Sequence, residues 1–195
     1  NPDGSKDFES LAALDLDLFS RQMNDLLNGQ EVDLPSFDFQ NGTKRFGSRI
    51  VRIDSTQPVI MEGIHALNPE MTAGIDDSQK FRIYISPLTQ LHIDGHNRIS
   101  TTEERMLRRM VRDYRYRGKA VQKTIEEWPK VRAAEDVNIF PYSGEADVLF
   151  NSYHVYEIAV LKKYAEPLLA SVKEEEPSYM TAQRILAFLQ FFHTI

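Results

Sequence analysis

Eight of the chain's 23 Lys and Arg residues fall within residues 98–119, which read R-I-S-T-T-E-E-R-M-L-R-R-M-V-R-D-Y-R-Y-R-G-K. This stretch constrains the fold more than any other because it carries two opposed stripes. On a helix, Arg105, Arg108, Arg109 and Arg112 fall at i, i+3, i+4 and i+7, and Leu107, Met110, Val111 and Tyr114 repeat that spacing about 200° further round. One stripe can bury itself while the other stays cationic. Ser100 and Thr101, each followed three residues later by Glu103 or Glu104, offer a capping box in either of two registers, and Gly118 offers a stop. A basic stripe is commonly just a solvated face. Here the helix has too few carboxylates to neutralise its arginines, so an anionic partner is the expectation, with the solvated face kept as the alternative.

The setting makes any such anion site local. Net charge is −6 and the pI is about 5.4, which argues against general nucleic-acid or anionic-membrane binding, since both rest on a broad cationic field. With 195 residues and 42% hydrophobic content, one core and one domain are expected. The absence of cysteine excludes disulfides, thiolate metal sites and cysteine nucleophiles. No run approaches the roughly 18 apolar residues of a membrane span, and no signal-like segment opens the chain, so a soluble, cytoplasmic protein is expected. The chain starts Asn1-Pro2-Asp3-Gly4 without methionine, and the expectation is that it begins partway through a longer protein.

Along the chain, turn chemistry makes residues 1–9 a loop, and Asp15 should cap a helix running through Leu16, Phe19, Met23 and Leu26 to Gly29. Residues 31–34 and 49–53 read as short strands of a small antiparallel flap spanning about residues 30–57. Val59-Ile60-Met61 and residues 81–86 read as strands buried on both faces. Beyond the arginine helix come a helix near residues 121–131, a strand at 147–150, a helix at about 156–169 and a buried-face helix at 181–192. Strands alternating with helices predict an α/β fold with a mainly parallel sheet flanked by helices.

In open α/β sheets ligands bind outside the carboxyl ends of the strands, so Glu62, directly after residues 59–61, is a candidate site acid, with a capping or loop-bonding role as its alternative. Glu62-Gly63-Ile64, followed by Arg108-Arg109-x-x-Arg112-Asp113-x-x-x-Arg117-Gly118, resembles the uridine kinase and phosphoribulokinase family of P-loop kinases. Phe8-Glu9, Leu14-Asp15, residues 35–39 and Ala146-Asp147-Val148 resemble further segments of that family. The resemblance runs to about residue 170 and is strongest to a divergent bacterial branch whose kinase domain follows a threonyl-tRNA-synthetase-like region.

The resemblance implies ATP-dependent phosphoryl transfer, with Mg²⁺, to a hydroxyl of a nucleoside or similar ribosyl acceptor. It implies Glu62 as the Mg²⁺-associated acid and Arg109, Arg112 and Arg117 as lid arginines, Arg112 and Arg117 on the ATP phosphates, within a lid at about residues 98–131. Glu9 would stand on the ribose hydroxyls, Phe37 against the base, and Lys119 among the substrate contacts. No G-x-x-x-x-G-K-[ST] motif occurs in this chain, and the D-x-F-Y-type segment that supplies the family's catalytic base is also absent. Both are expected ahead of Asn1, making these 195 residues the C-terminal portion of one kinase-like domain and a poor catalyst alone. Gly42 replaces the base-reading histidine and Glu127 a sugar-associated glutamine, which departs from uridine or cytidine specificity. A non-catalytic nucleotide- or RNA-sensing module on the same scaffold is the rival reading. His92, Asp94 and His96 lie in a longer loop than the family's, either lining the substrate pocket or, less simply, holding a metal. His65, His154, His193, Trp128, Phe188, Phe191 and Phe192 read as core or surface residues, with the C-terminal helix a possible contact between copies in a homo-oligomer.

Overall fold

The computed structural model describes residues 10–38 and 43–195, which divide into two units, the described residues up to 82 with 134–147 and residues 83–133 with 148–195. The first unit opens on α1 (Leu16–Leu27). The Asp15 carboxylate accepts the Leu18 N–H at 3.1 Å and Asp17 adds negative charge to the first turn, both favourable at the helix's positive end. At the other end Gly29 takes φ of +72°, and Gln30 N–H reaches back to Asp25 O at 2.9 Å, a left-handed closure that glycine adopts without Cβ strain.

The antiparallel flap forms, with a second short ladder beyond the one expected. β1 (Val32–Asp33) pairs antiparallel with β4 (Ile50–Val51), and β2 (Ser36–Asp38) pairs antiparallel with β3 (Thr43–Arg45). The Gln22 amide on α1 donates to Asp33 O at 2.7 Å, tying helix to flap. Residues 59–61, expected as a buried strand, form none, and Ile60 is 92% exposed. A three-residue apolar run becomes a strand only where a neighbour satisfies its backbone groups, and among the described residues no strand pairs with it. The chain passes instead into successive turns that bury His65, Asn68 and Thr72. There a Cβ on Gly74 would meet Ser20 Oγ of α1, so any larger residue would require that hydroxyl to rotate away.

The second unit holds β5 (Ile83–Ser86) and β6 (Val148–Asn151), paired in parallel with Ile83 opposite Val148 and Ser86 opposite Asn151. Among the described residues this two-stranded sheet is parallel, as expected, and the antiparallel pairs are confined to the flap, so the class is α/β with small sheets. Nor are these strands buried on both faces: Ile85 and Phe150 are exposed, because a two-stranded ladder has no flanking strands to cover it. The unit also holds α2 (Thr101–Arg117), most of α3 (Val121–Asn138), α4 (Glu157–Ala170) and α5 (Tyr179–Leu189), with α4 packed on both α2 and α5. No helix among the described residues is long and apolar enough to cross a membrane.

α2 resolves its ambiguous start in favour of Ser100, whose hydroxyl accepts the Thr102 N–H at 3.2 Å. It ends at Gly118, φ +61°, where the Gly118 and Lys119 N–H groups both turn back to Asp113 O. Leu107 and Met110 are fully buried and Val111 nearly so, in a core shared with Ile125 and Trp128 of α3, Ile158 and Leu169 of α4, and Ile185 and Leu189 of α5. Tyr114, the expected fourth member of the apolar stripe, is 53% exposed, so the buried stripe ends a turn early. On α5, Phe188 is buried and meets Phe192 edge to face at 5.2 Å, while Phe191 faces solvent.

Leu107→Ala should therefore cost roughly 2–4 kcal/mol, the range for a fully buried leucine, whereas Tyr114→Ala should stay within about 0.5 kcal/mol. Urea denaturation of the two variants checks this, and equal losses would show that the stripe reaches Tyr114 after all.

Candidate functional site: an arginine pocket on one helix

The cationic face of α2 lines a cavity. Arg105, Arg108, Arg109 and Arg112, with Pro87 and with Trp128 and Val131 of α3, enclose about 350 Å³. Helical spacing aligns the four guanidiniums, and α3 supplies an apolar wall that lowers the local dielectric and strengthens charge interactions. Pro87 is fixed through its neighbour: Leu88 N–H donates to Asn151 Oδ1 at 2.9 Å, and Asn151 Nδ2 donates to Leu88 O at 3.0 Å.

Two buried acids hold the arginines. Asp113 is 1% exposed; its Oδ1 accepts from Arg112 Nε at 3.0 Å, Arg112 Nη2 at 2.8 Å and Arg117 Nη1 at 3.4 Å, while Arg109 Nε lies 3.4 Å from Oδ2. Three guanidiniums thus share one carboxylate, so the group stays cationic, and each planar fork keeps donors to offer elsewhere. The second acid is Glu104, fully buried, whose Oε2 accepts the Thr89 hydroxyl at 2.7 Å and whose Oε1 lies 3.8 Å from Arg108 Nε. Arg108 is also bonded through Nε and Nη2 to both carboxylate oxygens of Glu157, and its Nη2 donates to Ser152 O at 3.3 Å. Burial pushes the Glu104 carboxyl up to about 7; the Thr89 hydroxyl and Arg108 oppose the rise, and the Glu157 charge adds to it. Burial likewise raises the Tyr153 phenol, which also feels the charges of Glu104 and Glu157.

Of the residues singled out in the sequence, Arg109, Arg112 and Arg117 are brought together around Asp113. Lys119 lies just beyond, its ammonium paired with Glu127, which Lys123 also approaches at 3.8 Å. Glu62 and Phe37 belong to the first unit: Glu62 is exposed in an irregular segment, and Phe37 stands in β2 opposite Lys44, 44% exposed. Glu9 and Gly42 lie outside the described residues. The segment holding His92, Asp94 and His96 is a small hairpin whose turn is closed by Asp94 Oδ1, accepting the His96 and Asn97 N–H groups at 2.8 Å each. Among the described residues no three His, Asp or Glu side chains gather in a way that could hold a metal ion. Sequence reasoning missed the Thr89–Glu104–Glu157 cluster. Its one local signal is the i,i+4 spacing of Glu104 and Arg108.

The Glu104 proton predicts a pH dependence of stability. A carboxyl raised from 4.5 to about 7 binds its proton more tightly folded than unfolded, so this contribution is complete below about pH 4.5 and is lost as pH rises through 7. The loss should be on the order of 3 kcal/mol at about 1.4 kcal/mol per pKa unit. Denaturant unfolding at pH 5 and pH 8 should show Glu104→Gln losing less stability than the wild type across that interval. Identical losses would place the titration elsewhere.

Comparison with known proteins bears on what this pocket serves. Residues 3–159 match the model of the Phosphoribulokinase / Uridine kinase family. A uridine kinase of Halalkalibacterium halodurans is 30% identical over 138 residues, covering 70% of this chain and 57% of the relative. Uridine kinases of Macrococcus caseolyticus and Staphylococcus haemolyticus are each 28% identical over 138 residues, covering 70% of this chain and 58% of each relative. The chain thus spans less than two thirds of the length of these curated relatives. Because the family match takes in most of its residues, including the whole arginine helix, the chain belongs to the phosphoribulokinase / uridine kinase family.

Proposed function

We propose that this chain serves ATP-dependent phosphoryl transfer to a hydroxyl of a nucleoside or similar ribosyl acceptor, and that the α2 pocket receives phosphate groups. The observation that carries this reading is the cluster of guanidiniums fixed in advance by Asp113. Phosphoryl transfer asks little covalent chemistry of a protein; it asks for positioning and for cations set where charge accumulates. Guanidiniums already held by a buried carboxylate need little reorganisation when that charge develops. Arg112 and Arg117, with side chains 46% and 57% exposed, keep donors directed outward and are the candidates for contact with the ATP phosphates and the transferred group. Arg109, at 22%, sits deeper and supports them.

Mg²⁺ would neutralise charge on the β and γ phosphates, and sites of this kind use one or two carboxylates, with phosphate oxygens and water completing the shell. The exposed Glu62 carboxylate suits that role, and the lack of a preformed acid cluster among the described residues does not count against it. Glu9, Phe37 and Lys119 are proposed for the acceptor on the strength of family resemblance. Within that proposal the Lys119–Glu127 pair leaves the acceptor region less cationic than a bare lysine would, in keeping with a neutral sugar hydroxyl.

With the whole protein, ADP release should be followed across a panel of nucleosides and ribosyl compounds. Arg112→Ala and Arg117→Ala should each lower kcat/KM by the equivalent of roughly 3–5 kcal/mol while melting stays near wild type, and Arg112→Lys should recover only part, since an ammonium lacks the planar fork. Glu62→Gln should lower kcat about a hundredfold or more, with the fold intact. Phosphate binding without turnover on any acceptor would instead favour a nucleotide-sensing module. Arginine variants that unfold the protein would make the stripe structural.

A further inference from the structure

The family reading makes no use of Arg108's partners, one of which, Glu104, is fully buried. Arg108 lines the pocket with Arg105, Arg109 and Arg112, but its guanidinium is turned toward two carboxylates. Glu157, in the first turn of α4, accepts from two of its nitrogens, and Ser152 O accepts from Nη2. Glu104 stands behind them with no solvent exposure: Oε2 is satisfied by Thr89, and Oε1 has no hydrogen-bond partner. Thr89 is itself held, its carbonyl accepting from Arg98 Nε at 3.1 Å and Nη2 at 2.9 Å. The groups facing Glu104 are therefore Thr89 from the segment before α2, Arg108 from its own helix, Tyr153 from the segment after β6, and Glu157 from α4. Among these groups one cation stands between two carboxyls.

Resting on the phosphate reading of the pocket, we propose that Glu104 and Glu157 are positioning residues for Arg108, and that the charge state of Glu104 sets how strongly the pocket holds a phosphoryl-type anion. A buried carboxylate oxygen without a donor is costly, and the cost is relieved when a proton on Oε1 is given to the neighbouring carboxylate as a hydrogen bond. With Glu104 neutral, Arg108 faces one anion rather than two, and more of its positive charge reaches the cavity. With Glu104 ionised, an additional negative charge lies behind the wall that an incoming anion must approach. An anion in the pocket in turn raises the proton affinity of Glu104, so binding takes up a proton. The protonation range given by burial, near neutral pH, puts this coupling where it operates.

The test uses sulfate, whose charge is constant between pH 6 and 8, titrated calorimetrically into the whole protein. Wild type should bind sulfate roughly tenfold more weakly at pH 8 than at pH 6, the order expected for one added charge several ångströms away at an effective dielectric of about 20 and partly screened. At pH 7.5 it should take up a fraction of a proton on binding, measured from the heat difference between two buffers of unlike ionisation enthalpy. Glu104→Gln, which imitates the neutral carboxyl, should keep the tighter affinity at pH 8 and take up no proton. Thr89→Val, which removes a donor to the ionised form, should move the affinity change to higher pH, and it serves if the glutamine variant does not fold. Sulfate binding that is independent of pH, or that shows the same pH dependence and proton uptake in the variants, overturns the positioning role and leaves the phosphate reading standing. No sulfate binding at either pH removes the phosphate reading and the inference with it.

Discussion

A buried carboxylate shared by several guanidiniums is the interaction on which the second unit turns. α2 must bury Leu107 and Met110 completely while carrying six arginines in its last four turns. Unpartnered, those cations would repel one another along a face that lies against α3. Asp113 resolves this from within the helix: at i+4 from Arg109, beside Arg112 and at i−4 from Arg117, it meets three guanidiniums with one carboxylate. At 1% exposure the carboxylate would be costly to bury without them, and they could not converge without it. Core packing and charge placement are one solution here.

Local chemistry was what the sequence made legible. The Asp15 and Ser100 caps, the glycine stops at Gly29 and Gly118, and the flap near residues 30–57 all follow from residues a few positions apart, and all stand where expected. Failures came where tertiary partners decide. Val59-Ile60-Met61 has the composition of a buried strand but no ladder partner among the described residues, and composition alone cannot provide one. Tyr114 keeps the helical period of Leu107 and Met110, yet burial depends on what lies opposite each turn, and opposite the last turn of α2 the cover runs out.

The site divides along the same line. Arg109, Arg112 and Arg117 could be picked out because they lie on one helix, where spacing dictates proximity. Glu104 drew notice only as a capping acid, because its partners are Thr89, fifteen residues earlier, and, through Arg108, Glu157, some fifty residues later. No periodicity links positions on a loop, a helix and the first turn of another helix. Such a cluster becomes visible only when the chain has brought the three together and taken away their water.

The closure of α2 at Gly118 gives its arginines unequal freedom. Asp113 acts twice: its carbonyl receives the Gly118 and Lys119 N–H groups that end the helix, and its carboxylate gathers the guanidiniums. Arg109 rises from the middle of the helix, where neighbouring turns restrain its backbone, whereas Arg117 rises from the final residue, where helices fray. The entropy surrendered when an anion is gripped therefore falls mainly on Arg117. The cationic face of α2 thus grades from a restrained Arg109, which lines the cavity, to Arg117 at the helix end just outside that lining, so an anion can meet the less restrained cation before it is fixed by the more restrained one.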